Sequence, residues 1–185
     1  MAKRGRDWFI ADWHLNHGNI IKYCRRLEFM TDTERELVDM ADRGAIRNRE
    51  VKISPATTAR MTTAVLENTN AVVESGDRLH ILGDVLFARQ DNKVALVKKY
   101  RAAIKEGVEV RLIHGNHDDR DLLRTHFADK YTQYSWESDA EYKGRLRRED
   151  VQDGDSHYKE QVLIRIDQQK LFMNHYPMRS WDNAH

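Results

Sequence analysis

The sequence predicts a layered α/β domain. Short apolar strands alternate with segments of helical spacing, glycines fall where each helix gives way to a strand, and the apolar content suits one core. With 185 residues and 40% hydrophobic content, the chain can bury one sizeable core and is too short for two ordinary domains, so residues 1–185 are read as a single domain. Segments 6–11, 78–82, 109–113, 161–167 and 170–173 are rich in Ile, Leu, Val, Phe or Trp and read as strands. Met61, Val65 and Val72 recur at i, i+4 and i+11, and Val97, Tyr100 and Ile104 at i, i+3 and i+7. Both patterns predict helices that cover a sheet. Gly76-Asp77 and Gly107 mark the helix ends before the second and third strands, which makes the first three strands parallel neighbours.

Composition narrows the function classes. Thirty-one Lys and Arg against thirty Asp and Glu leave a formal charge of +1, so no global field draws the chain to nucleic acid or a membrane surface. No apolar run approaches the ~18 residues that suggest a bilayer span, and the start MAKRGRDWFIADWH does not read as a signal peptide. Cys24 is the single cysteine; it excludes an internal disulfide, fits a reducing, cytoplasmic setting, and is expected as a small buried residue on a helix. Residues 132–160 carry few apolar anchors and read as an exposed insertion or long hairpin. Within them Arg145, Arg147 and Arg148 are nearly cancelled by Glu149, Asp150, Asp153 and Asp155, so nucleic-acid binding is possible but not indicated.

Asp12 and His14, Asp84, Asn116 and His117, and His175 each lie at or just beyond the end of a predicted strand, where open α/β sheets place their sites. If the extended conformation continues past the first strand, Asp12 and His14 point to the same side and grip one cation. In LHILGDV, Gly83 permits a sharp turn and Asp84 offers a carboxylate able to touch two cations, or a helix cap. LIHGNHDD is more demanding: Asn116 supplies a neutral oxygen and His117 a proton donor, a pairing that a plain turn does not require. His175 precedes Pro177 in LFMNHYP and, taken alone, is more often structural. Nitrogen and oxygen donors together suit Mn, Fe, Ni or Zn better than Ca.

In this order, DxH, GD, GNHD and a later His resemble the calcineurin-like metallophosphoesterase superfamily. More narrowly, FIADWHLNHGNIIKYC, HILGDV, IHGNHD and NHYPMRSW are similar to small phosphoesterases of bacteria and their phages, over residues 8–181. The resemblance implies a β-sandwich core of two facing sheets flanked by helices, with two divalent transition metal ions between the strand ends. Asp12 and His14 would bind the first ion, Asp84 would bridge, and Asn116 and His175 would bind the second. A metal-bound hydroxide would then attack a phosphomonoester or phosphodiester, of a small molecule or a nucleotide, while His117 protonates the leaving group. The family pattern closes with GHxH, and the sequence ends at SWDNAH without one. The expectation is therefore a C-terminally incomplete fold with one ligand fewer per ion, and the alternative function is a catalytically impaired metal-binding or protein-interaction module.

Other residues near these motifs divide between two roles. His17 either lines the site or caps the helix through Ile20 and Ile21. Arg89 and Arg179 either contact substrate oxygens or sit on the surface. His80, His114 and His126 read as ordinary strand or helix residues, and His157 or His185 replaces a missing ligand only if the loop or the tail folds back.

Overall fold

The computed structural model describes residues 5–87, 90–131, 161–166 and 169–175. The expectations for the 132–160 insertion, and for Arg89, Arg179, His157 and His185, lie outside these residues.

Four parallel strands form one sheet in the order β1 (Asp7–Ile10), β2 (Arg78–Leu82), β3 (Glu109–Ile113) and β4 (Lys130–Tyr131). The register pairs Trp8 with Leu79 and Leu79 with Val110. Parallel neighbours need crossovers, and these are helical: α1 (Gly18–Tyr23), α2 (Asp32–Asp42) and α3 (Pro55–Val72) lie between β1 and β2, α4 (Lys93–Ala103) between β2 and β3, and α5 (Arg120–His126) between β3 and β4. A separate antiparallel pair, β5 (Gln161–Ile166) and β6 (Gln169–Asn174), packs on the sheet where Met173 and Leu171 meet Ile113 and Leu82. The expected strands are thus present and the first three are parallel. The two-residue β4 was not expected, because so short a run carries no alternating pattern.

The helices form for local reasons. Ser54 caps α3 by accepting from Thr57 N at 3.1 Å, and Pro55 supplies a first-turn residue with a preset φ. Thr31 and Glu34 close a capping box at the start of α2. Glu34 also accepts from Ser54 N at 2.7 Å and from Thr57 Oγ1 at 2.7 Å, so one buried carboxylate serves the N-termini of two helices. Helix α3 joins the two main apolar clusters. Met61 packs with Ile21, Met30, Val38 and Val51, while Leu66 packs with Trp13, Ile81, Val97 and Phe127. Each such side chain, fully buried, stabilises the fold by roughly 1.5–3 kcal/mol.

Three expectations need correction. Val72, placed by its spacing on the covered face of α3, is exposed because it is the last helical residue. Cys24 is exposed rather than buried, since it caps the C-terminus of the short α1 and the chain turns outward there. The third is the extended conformation expected of Asp12 and His14, which have positive φ instead. Among the histidines read as structural, His80 is buried in β2 and bonded through Nε2 to Asp7 at 2.8 Å. Burial alone would raise the Asp7 pKa, but hydrogen bonds from Arg78 and His80 outweigh it and hold the group at about 2. No helix among the described residues is long and apolar enough to cross a membrane.

Candidate metal centre

The loops after β1 and β2 leave the sheet side by side. His14 N donates to Asp84 O at 2.8 Å, Leu15 N to Val85 O at 3.0 Å and Phe87 N to Leu15 O at 2.9 Å. Extension does not continue through the first loop, contrary to expectation: Asp12, His14 and Asn16 have φ of 53°, 49° and 61°, and Asp84 across from them has 53°. The backbone bonds to the second loop impose this left-handed alternation, which non-glycine residues adopt only at a cost. Asp12 and His14 still converge, with His14 Nε2 3.7 Å from Asp12 Oδ1. Arg26 fastens the strained turn from behind, donating to Asp12 O at 2.9 Å.

Two glycines make room for the crossing. A Cβ on Gly83 would lie 2.5 Å from His175 Nδ1 and 2.6 Å from Gly115 N, and one on Gly115 would lie 2.1 Å from Asp84 Oδ1. Asp118 then ties the loops together, its carboxylate accepting from Asp84 N at 2.9 Å, Val85 N at 2.8 Å and Gly115 N at 2.9 Å. Burial pushes the Asp118 pKa up to about 6 against the opposing pull of those donors.

Asp84 lies at the centre of the cluster, its side chain almost wholly buried. Its Oδ2 is 3.5 Å from His14 Nε2, while its Oδ1 is 3.7 Å from His175 Nε2 and accepts from His117 N at 3.0 Å. His175 Nδ1 faces Leu82 O at 2.8 Å. A carbonyl only accepts, so Nδ1 carries a proton and the ring turns its Nε2 inward. That Nε2 stands 3.1 Å from Asn116 Oδ1. One ligand atom each from Asp12, Asp84 and His175 falls within 4.8 Å of the others. This donor set, a mixture of carboxylate oxygens, amide oxygen and imidazole nitrogen, fits a divalent transition metal.

Burial favours the neutral form of His14 and His17. Burial depresses the pKa of His14 despite the Asp84 and Asp12 charges, and burial together with His14 and His117 lowers His17 to about 4. His17 stands at the N-cap position of α1 but makes no side-chain cap bond there. Its Nδ1 lies 3.2 Å from His14 Nδ1, and its ring stacks on Phe87 with centroids 4.5 Å apart. His117 sits at the exposed mouth, its ring 6.0 Å from that of His14 and 6.2 Å from that of His17. The structure thus brings Asp12, His14, His17, Asp84, Asn116, His117 and His175 to one place. Asp118 and Arg26 were not picked out from sequence; the final Asp of GNHD was available as a signal for the first, and nothing marked the second.

A family model described as calcineurin-like phosphoesterase matches residues 6–184. The uncharacterized protein MJ1445 of Methanocaldococcus jannaschii is 29% identical over 111 residues, covering 60% of this chain and 46% of that protein. A solved structure, the protein of unknown function AQ665 from Aquifex aeolicus, aligns over 94% of this chain and 61% of its own, with 19% identity and a TM-score of 0.49. The chain spans less than half the length of the former and about three fifths of the latter.

Proposed function

Because the chain belongs to the calcineurin-like phosphoesterase family, we propose that it is a metal-dependent hydrolase of phosphomonoesters or phosphodiesters with a two-cation centre. The observation that carries the reading is the division of Asp84, whose two oxygens face His14 and His175 on opposite sides. Asp12, His14 and Asp84 would hold one ion, and Asp84, Asn116 and His175 the other. When bound, such a pair supplies the charge that holds a phosphate and makes a water acidic enough to act as nucleophile near neutral pH.

The protein's own groups do the rest. The Leu82 carbonyl fixes the His175 tautomer, and neutral His14 keeps a lone pair directed at the cluster. Asp118 and the two glycines hold Asp84 against the GNHD turn, so the site needs little rearrangement on binding. His117 is tethered through its backbone N–H to Asp84 while its ring stays at the mouth, a position suited to protonating a leaving oxygen.

The test is metal content and turnover of aryl phosphomonoester and phosphodiester substrates, for the wild type and Asp84→Asn, before and after chelation. Turnover should vanish with chelator, return with Mn or Ni more readily than with Ca, and be lost together with bound metal in Asp84→Asn. Full activity after exhaustive metal removal would overturn the mechanism. Tight metal binding without turnover of any ester would instead make the protein a binding module.

A further inference from the structure

A groove of about 870 Å³ lies between α3 and α4 and reaches His17 and Phe87 at the edge of the candidate metal centre, a volume within the roughly 300–1,000 Å³ of small-molecule sites. We propose that this groove receives the nucleoside part of a phosphoester substrate, with the base stacked on Phe87. The inference rests on the phosphoester reading and adds the substrate class to it.

Continuity comes first. His17 and Phe87 line the groove, and His17 is in turn 3.2 Å from His14, which faces Asp84. An organic substituent of a phosphate at the cluster would pass His17 to enter the groove. The second observation is Phe87 itself. Its backbone is clamped, the N–H donating to Leu15 O at 2.9 Å and the carbonyl accepting from Asn16 Nδ2 at 3.0 Å. Asn16 is anchored to α3 in turn, its N–H donating to Thr62 Oγ1 at 2.9 Å. The ring nevertheless remains 46% exposed while stacking on His17. An aromatic ring held on a fixed backbone and backed by a second ring is a platform for a flat heterocycle.

The walls choose among occupants. Asn19 and Thr63 share the lining with Leu66 and Leu96, so an alkyl chain would strand amide and hydroxyl groups against hydrocarbon. Lys99 and Glu67 contribute one charge of each sign, which gives no track for the repeated phosphates of a nucleic-acid strand. A single nucleoside offers a planar base, ribose hydroxyls and no net charge, and it matches this lining.

AMP and ribose 5-phosphate differ only by the base, and their affinities for the Mn-loaded protein, measured by calorimetry, test the proposal; kcat/KM replaces affinity for a compound that is hydrolysed. Base stacking should favour AMP by about 5- to 100-fold. The preference should collapse in Phe87→Leu and survive in Phe87→Tyr, which keeps a ring at a position exposed enough to leave folding intact. Equal affinities in the wild type, a preference that persists in Phe87→Leu, or no binding of AMP at millimolar concentration would each overturn the assignment. Hydrolysis of other esters without a base preference would sink the nucleoside site alone, and a base preference without hydrolysis of any ester would sink the phosphoesterase reading alone.

Discussion

Replacing Glu34 by Gln removes one charge from a buried carboxylate on which two helix N-termini converge. Oε2 accepts from Thr31 N at 2.8 Å and Thr57 Oγ1 at 2.7 Å, and Oε1 from Ser54 N at 2.7 Å. Burial works to raise the Glu34 pKa, yet these donors prevail and bring it from 4.5 down to about 2. At about 1.4 kcal/mol per pKa unit, the ionised group contributes on the order of 3 kcal/mol to folding. Because the folded pKa is depressed, the contribution is complete above the unfolded value of 4.5 and is lost as pH falls through about 2. Linkage leaves about 2 kcal/mol of it at pH 3.5. Gln does not titrate, and the other ionisations are common to both proteins. The stability gap between wild type and Glu34→Gln, from urea unfolding followed by circular dichroism, should therefore narrow by about 1 kcal/mol between pH 7 and pH 3.5. A gap that is constant or widens over that range would show that the carboxylate is not the charge stabilising the junction of α2 and α3.

The other predictions concern the site. His117→Ala should keep its bound metal, read by elemental analysis, yet lose about 10²- to 10⁴-fold in kcat, and lose less on esters whose leaving group needs no proton; parallel loss of metal would contradict the assigned role. Gly115→Ala places a Cβ against Asp84 Oδ1 and should weaken metal binding by at least about tenfold in a competitive chelator titration; unchanged affinity would mean the loops do not hold Asp84 in place. Asp118→Asn leaves three backbone N–H groups with a single carbonyl acceptor among them, so urea unfolding at pH 7 should report a loss of about 1–3 kcal/mol.

Much of the sheet could be read from the chain because β2 and β3 are apolar runs closed off by Gly76, Gly83 and Gly107. Strand β4 could not, since Lys130 and Tyr131 owe their conformation to pairing with Arg111 and Leu112. The capping-box spacing of Thr31 and Glu34 is the local signal for α2. Residue type and position mark the candidate site residues in the sequence, whereas the backbone that brings them together is not legible there. The left-handed turns at Asp12 and His14 are set by bonds to Gly83 O and Asp84 O, some seventy residues on. No local propensity reports such a constraint. The same holds for His17, whose place beside Phe87 depends on the second loop folding against the first.

Four of the five non-glycine residues with positive φ among those described, namely Asp12, His14, Asn16 and Asp84, lie in the two loops that build the cluster. Each such residue costs roughly 1 kcal/mol or more relative to glycine. A laboratory selection for heat resistance alone would therefore find its easiest gains at positions 12, 14 and 84, through glycine or asparagine, and each gain would remove a donor from the candidate centre. Position 16 is the control within the same loop, because Asn16→Gly relieves the backbone without touching a proposed ligand. Variants enriched at 12, 14 and 84 but devoid of metal would map, residue by residue, where this fold has surrendered stability for chemistry.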